Sequence, residues 1–349
     1  MKKTKALVLL SGGLDSQIAV KILEEQNIEV EAICFTSNFY NAEKAKIASK
    51  HLGIKLHVVN IEDKMVKLVK SPPSGYGKNM NPCVDCHAMM IRLAREFADG
   101  MDGDKSLDFI GRSRSLQNDR SIIIATGEVL GQRPFSQNKK SLGRVEELSG
   151  VEVLRPLSAK LLNETSYEKS RIVLRHKLLD IEGRQRERQM ELAEKYGIKD
   201  YPTPSGGCLL TDPEFSGRLL KLIDRVPNCN NNDIELLKNG RVFWLKNLHD
   251  DWILVMIGRH KEDNDNLQKL VQKGDIVLQL REINGPSTLI RGINNCVFKM
   301  IDVTVPEKYS QISLDANNDE QIIKQMAIIT AYYAVKARGK KTIIDIKSI

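Results

Sequence analysis

No apolar run in this sequence approaches the roughly 20 residues that a helix needs to cross a bilayer. A signal peptide is also missing: the N-terminal apolar stretch, Lys5 to Leu10, is short and runs directly into a Ser-Gly-Gly turn. The sequence therefore reads as cytoplasmic. Cysteine is scarce, with six residues in a chain of 349. That argues against a disulfide scaffold and for thiol or metal chemistry. Internal repeats and low-complexity tracts are absent, so neither a solenoid nor a long solvating tail is expected.

What remains is an ordinary soluble composition, 41% hydrophobic and 28% charged, long enough for two domains and a connector. The formal charge of +8 and a pI near 9.0 favour a polyanionic partner.

The chain is organised around Ser11-Gly12-Gly13-Leu14-Asp15-Ser16. A strand-length apolar run precedes it. In residues 17–26, which follow, Ile18, Ala19, Ile22 and Leu23 recur at helical spacing. The unit is strand, glycine turn, helix. Gly12 and Gly13 let the backbone turn tightly and approach a ligand, and the free N–H groups of the new helix suit an anion. Ser11 and Ser16 add hydroxyl donors. A carboxylate beside a phosphate is repulsive unless a divalent cation lies between them, so Asp15 points to ATP with Mg²⁺. A plain glycine turn between strand and helix is the simpler alternative.

SGGLDS resembles the PP-loop of the ATP pyrophosphatases, a family that adenylates a substrate oxygen and releases pyrophosphate. It includes tRNA thiouridine synthetases, amide-forming ligases and tRNA lysidine synthetase. The resemblance implies that Ser11, Gly12, Gly13, Asp15 and Ser16 hold ATP and that Asp15 carries the Mg²⁺.

Further strands at 28–35 and 55–61 alternate with a helix at 42–52, which implies an α/β domain with a parallel sheet and ligands at the strands' carboxyl ends. The PP-loop resemblance places adenine near Phe35, Thr36 and the loop after them. There Phe39 is either a stacking residue or a rim aromatic without contact. Residues 71–78 read as a mobile surface loop.

Asn81-Pro82-Cys83-Val84-Asp85-Cys86-His87 then opens an amphipathic helix bearing Met90, Leu93, Ala94 and Phe97. A helix N-terminus lowers a thiol pKa and favours thiolate. Structural zinc would require a second CxxC pair, and a thioredoxin-like redox pair is another alternative. NPCVDCH resembles the NPCxxCN segment of the tRNA 2-thiouridylases, with His87 in place of their Asn.

Residues 99–121 read as an exposed insertion without regular structure, a departure from that family. After a strand at 122–125, Ala125-Thr126-Gly127-Glu128 resembles the family's ATGH segment, and Gly127 is expected beside the nucleotide. Glu128 replaces the His, so no role of that His transfers. Residues 131–140 offer Arg133 and lysines to a triphosphate or RNA; a merely solvated turn explains them equally well. Residues 153–157 read as the last strand, and 165–196 as a charged helical stretch whose arginines can also follow a phosphate backbone.

In Ser205-Gly206-Gly207-Cys208, two glycines present a single cysteine. A small buried hydrophobe is the ordinary account of such a residue. The thiouridylases carry a second essential cysteine in a similar Gly-x-Cys turn. The resemblance therefore groups Cys83, Cys86 and Cys208, while Cys34, Cys229 and Cys296 read as structural.

Beyond residue 226 the pattern changes to paired short strands at 241–245, 252–257 and 275–281, then a helix at 319–338 and a basic tail with Arg338, Lys340 and Lys341. The turn Gly258-Arg259-His260 to Asn264 resembles the GRN-x-x-x-N turn of the RNA-binding domain of NFACT proteins. A β-rich structural domain is the alternative.

The expected architecture is a PP-loop (HUP-like) α/β domain over 1–160, a helical connector over 161–225 and a smaller α+β RNA-binding domain over 226–349. The resemblance implies an ATP-dependent tRNA thiouridine synthetase. In such an enzyme Asp15, Cys86 and Cys208 are catalytic, and sulfur displaces AMP from an adenylated uracil carbonyl. Sulfur would arrive as a persulfide on Cys208 or Cys86, or on a 4Fe–4S cluster held by Cys83, Cys86 and Cys208. A third cysteine favours the cluster, since a relay needs only two thiols. The donor would be a cysteine desulfurase relay or sulfide. A small-molecule PP-loop ligase or amidase, and a non-catalytic RNA-binding protein, are the rival readings.

Overall fold

Strand β1 (Lys5–Leu9) is central to the first sheet, paired in parallel with β2 (Glu29–Thr36) on one side and β4 (Ile122–Thr126) on the other. β3 (Leu56–Asn60) extends the β2 side, giving the order β3-β2-β1-β4. The computed structural model describes residues 4–101, 122–201, 207–293, 296–313, 316 and 318–349. The 99–121 insertion falls mostly outside them; residues 99–101 continue the preceding helix. The chain divides into two compact units, Met1–Pro213 and Glu214–Ile349.

In the first unit the apolar runs of β1, β2 and β4 are largely buried, as parallel strands covered by helices require, and all five residues of β4 are buried, whereas the edge strand β3 is partly exposed. The crossovers are α1 (Leu14–Glu24), α2 (Glu43–Leu52), α3 (Glu62–Lys70) and α4 (Cys83–Met101). After β4 come α5 (Lys139–Ser149) and the short α6 (Ser166–Lys169) and α7 (Glu187–Lys195). Register sets the carboxyl ends side by side, with Leu9 opposite both Ile33 and Thr126. The strand order reverses at β1, so the loops after β1 and β4 flank the crevice where such sheets bind ligands.

Two expectations change here. Residues 153–157 form no strand; Leu154 makes a single parallel bridge to Ala125. Residues 165–196 form no continuous helix; α6, a 3₁₀ turn at Arg175–Lys177 and α7 are separated by irregular chain. Their apolar residues, Tyr167, Val173, Leu178, Ile181 and Ala193, are too sparse for a long amphipathic face, and they pack into the core shared with β1 and α1.

The second unit holds α8 (Pro213–Arg225, all but its first residue) and α9 (Asn231–Leu236), followed by β5 (Arg241–Lys246) and β6 (Trp252–Ile257). It continues with α10 (Lys261–Lys269), β7 (Ile276–Leu280), β8 (Thr288–Arg291), β9 (Met300–Thr304), α11 (Asp319–Tyr333) and β10 (Lys341–Ser348). The sheet order is β5-β6-β8-β7-β10-β9, antiparallel throughout. Ile253, Val255 and Ile257 face α11, while Leu254 and Met256 face Leu236 and Leu267. β6 is thus covered on both faces. Lys341 belongs to β10 rather than to a basic tail, because Ile344 and Ile346 alternate into the core. Arg291 bridges Asp233 at 2.6 Å and Asp275 at 2.7 Å, clamping α9 to the sheet.

Candidate active site

The turn from β1 to α1 carries the first group of site residues. Gly12 has φ +78°, and a Cβ there would lie 2.3 Å from the Lys44 carbonyl carbon, so only glycine fits against α2. Gly13 is the N-cap of α1 and lends no side chain. Ser16 Oγ donates to the Gly13 carbonyl at 2.8 Å and lies 3.4 Å from Ser11 Oγ. Gly127 approaches from β4, where a Cβ would meet Ser16 N at 2.4 Å. The Ala-Thr-Gly turn therefore packs directly on the start of α1. Phe35 is buried near the end of β2, and Thr36 closes that strand half-buried.

Asp15 has two differently placed oxygens. Oδ2 accepts a hydrogen bond from Gln132 Nε2 at 3.0 Å. Oδ1 is buried with no hydrogen-bond partner. A buried, unpaired carboxylate oxygen is costly, and a divalent cation satisfies it, so Asp15 suits the Mg²⁺ of a bound nucleotide.

The second group comprises the cysteines. Cys83 starts α4, and its thiol donates to Asn81 Oδ1 at 2.9 Å. Cys86 lies one turn on, with Tyr40 Oη at 3.8 Å and Met65 Sδ at 3.7 Å. The Cys208 turn is tied in by Leu209 N to the Phe39 carbonyl at 3.0 Å and by Asn79 Nδ2 to the Thr211 carbonyl at 2.7 Å. Ser205 and Gly206 lie outside the described residues. The three thiols feel one another electrostatically, and Arg133 lies within electrostatic reach of Cys83 and Cys208.

Burial pushes Cys86 up to about 12 and Cys208 up to about 11, and raises Cys83 as well. This overturns the thiolate expected at a helix N-terminus: loss of hydration outweighs the helix dipole. Neutral thiols of this kind give up their protons when a metal supplies the positive charge. Among the described residues, no three His, Cys, Asp or Glu side chains already surround a common metal position. Cys34 is buried in the core of the first unit, while Cys229 is buried and Cys296 half-buried in the second unit.

Phe39 is not a rim aromatic, since its ring is buried. The 71–78 loop is irregular and largely exposed, as expected, and is anchored at two points. Asp85 accepts from Ser74 N at 2.8 Å and Ser74 Oγ at 2.6 Å, and Tyr76 Oη donates to the Val69 carbonyl at 2.5 Å.

A buried ion network joins the two groups. Glu128 accepts from His87 Nδ1 at 2.8 Å and from Arg155 Nε at 3.0 Å, and Arg155 also pairs with Glu146. Burial alone would raise the Glu128 carboxyl; Arg155 and His87 outweigh it and hold it at about 2. His87 and Glu128 are the two positions that depart from the NPCxxCN and ATGH patterns, and they contact each other. Sequence reading assigned no role to Gln132, Arg155, Tyr40 or Asn81; the partners Asp15, Glu128 and Cys86 of the first three lie far along the chain, whereas Asn81 meets Cys83 only two residues on.

Residues 4–107 match the family model described as the tRNA methyl transferase HUP domain. A probable tRNA sulfurtransferase of Thermoanaerobacter sp. (strain X514) is 30% identical over 162 residues, 44% of this chain and 36% of that protein. One from Agathobacter rectalis is 29% identical over 164 residues with the same coverage. The chain thus matches about a third of the length of these curated relatives. Among solved structures, a 4-thiouridine synthetase–RNA complex with bound ATP aligns with TM-score 0.35 and 21% identity, covering 67% of this chain and 52% of that one. A predicted tRNA methyltransferase subunit from Methanocaldococcus jannaschii aligns with TM-score 0.30 and 17% identity, covering 48% of this chain and 74% of that one. The parallel sheet and its helices fit a HUP-type PP-loop domain, and the antiparallel sheet belongs to a second unit.

Proposed function

We propose that this chain is an ATP-dependent tRNA uridine sulfurtransferase. One observation carries the reading: adjacent residues of a single loop serve both groups. Gln132 holds Asp15, and Arg133 lies within electrostatic reach of Cys83 and Cys208. This supports a nucleotide carboxylate and a set of thiols working together, which a PP-loop ligase for a small molecule does not need. The named relatives and the HUP match support the same chemistry.

ATP binds in the turn from Ser11 to Ser16, beside Gly127 and the β2 end at Phe35 and Thr36. The α1 N–H groups and the two serine hydroxyls receive the phosphates. Asp15, whose Oδ1 is buried without a partner, would hold a Mg²⁺ ion there, which would supply positive charge for the departing pyrophosphate. The uracil carbonyl oxygen attacks the α-phosphorus and pyrophosphate leaves. A sulfur nucleophile then adds to the activated carbon, and AMP departs with the former carbonyl oxygen.

Sulfur enters at Cys83, Cys86 and Cys208. The grouping of three thiols favours a 4Fe–4S cluster over a persulfide relay, which needs only two. Cys83, Cys86 and Cys208 would be the residues that hold such a cluster, which would supply a site for inorganic sulfide. The persulfide alternative, on Cys208 or Cys86, receives sulfur from a desulfurase relay. The second unit, with 226–349 as its RNA-binding part, adds phosphate contacts, and the chain works in the cytoplasm.

The test is mass spectrometry of tRNA nucleosides from a deletion strain, complemented with wild type or Asp15→Asn. Loss of a thiouridine that wild type restores and Asp15→Asn does not is the expected result; an unchanged nucleoside profile refutes the reading. Anaerobically purified protein should contain about four irons per chain, and Cys83→Ala should abolish them. An iron-free protein that thiolates tRNA fully would establish the persulfide route instead.

A further inference from the structure

Phe135 is 71% exposed, yet its backbone is tightly held. Asn138 Nδ2 donates to the Pro134 carbonyl at 2.7 Å, Ser141 Oγ to the Phe135 carbonyl at 3.1 Å, and Gly131 N to the Gln137 carbonyl at 2.7 Å. An aromatic ring mounted rigidly in water forgoes its burial energy, and nothing in the fold requires it there. Its surroundings are basic. Arg133, Lys139 and Lys140 are exposed and take part in no ion pair among the described residues. Arg144, one turn along α5, pairs with Glu147 at 2.9 Å. Lys140, Ser141 and Arg144 also line an open groove of about 530 Å³ that reaches Ser74 and Val84, the residue after Cys83.

We propose that this patch receives a single-stranded segment of the substrate RNA next to the target uridine, with one unpaired base stacked on Phe135 and its phosphates on Lys139 and Lys140. The inference rests on the thiolation reading and adds to it an RNA contact in the first unit. An aromatic face interleaved with cations is the chemistry that binds single strands. A duplex offers no free base face to Phe135, and a uracil carbonyl inside a stack cannot reach the cysteines. The lone acid in the groove, Glu147, is already paired, so an acidic strand meets little repulsion.

The experiment measures binding of the full chain to a fluorescein-labelled single-stranded oligoribonucleotide and to the matching duplex, by anisotropy over a salt series. A 5-iodouridine version of the strand is photocrosslinked in parallel. Wild type should prefer the single strand and crosslink at Phe135. Phe135→Ala should weaken single-strand binding about tenfold, and Phe135→Trp should retain it. Lys139→Ala with Lys140→Ala should flatten the log–log salt slope by about 1.4, two single-strand phosphate contacts' worth. These residues are exposed, so unchanged thermal melting verifies folding. If wild type binds RNA but the variants match it in affinity, slope and crosslink, the patch is refuted and the thiolation reading stands. Equal affinity for duplex and single strand also refutes the patch. If wild type binds no RNA at all, the thiolation reading itself fails.

Discussion

A buried carboxylate, Glu128, ties the helix that carries Cys86 to the turn that packs on Asp15. Its partners His87 and Arg155 offset the cost of burial, and Arg155 is itself almost wholly enclosed. Removing the charge in Glu128→Gln leaves that guanidinium with only Glu146, and a broken buried pair costs about 3 kcal/mol. The pH dependence has a definite sign. The folded carboxyl, at about 2, lies below its unfolded value near ~4.3, so its contribution is complete above that value and is lost as pH falls toward 2. Urea denaturation of wild type and Glu128→Gln between pH 7 and 3 checks this. The gap between the two should be widest near neutrality and narrow below about pH 4; a constant gap would show that the network is not ionised as described. The sequence marks both His87 and Glu128 as departures from known motifs. It cannot show that they meet, because 41 residues separate them.

Among the elements, the turn after β4 was legible as a motif but not as a packing constraint. Gly127 is required because its Cα faces the backbone of Asp15 and Ser16. Gly127→Ala should therefore cost about 2 kcal/mol through overpacking and weaken ATP binding by displacing the first turn of α1. Gly143, inside α5, is the opposite case: a Cβ there would meet nothing within 4 Å, so Gly143→Ala should stabilise by about 0.5–1 kcal/mol. Calorimetric melting with and without ATP separates the two outcomes; equal effects would remove the packing argument. α4 teaches a different lesson. Its amphipathic spacing was plain in the sequence, and a helix N-terminus did coincide with CxxC. The thiol chemistry was not plain, because it depends on how deeply Tyr40 and Met65 enclose Cys86. Long irregular segments mislead for a related reason. Residues 170–186 are rich in helix-forming side chains but give their few apolar groups to another element's core.

At the scale of the whole chain, the first unit's strands and PP-loop announced themselves through local apolar runs and glycines. The second unit did so less. β5, β6 and β7 were readable from alternation, whereas β8, β9 and β10 are short or late strands, recognisable once their partners are known. The Gly258 turn illustrates the point: a Cβ there would lie 2.0 Å from Asn264 Oδ1, which also accepts from Ser287 N at 2.9 Å. Glycine and asparagine in this motif therefore build the turn, and Arg259 is engaged by Asp263 at 2.8 Å. Any phosphate contacts of the second unit must come from other cations. Arg225 lies over Trp252 at 4.0 Å, Arg241 over Tyr333 at 4.2 Å and Arg338 over Tyr332 at 4.3 Å, so three guanidinium groups rest on aromatic rings. Each unit has its own core, and a chain ending at Asp212 should fold and bind ATP as the full chain does. Its tRNA affinity should be far lower and less steep in salt, whereas the full chain should lose orders of magnitude between about 50 and 200 mM. Filter binding across that range decides the matter, because equal affinity and slope for the two proteins would leave the second unit with no part in holding tRNA.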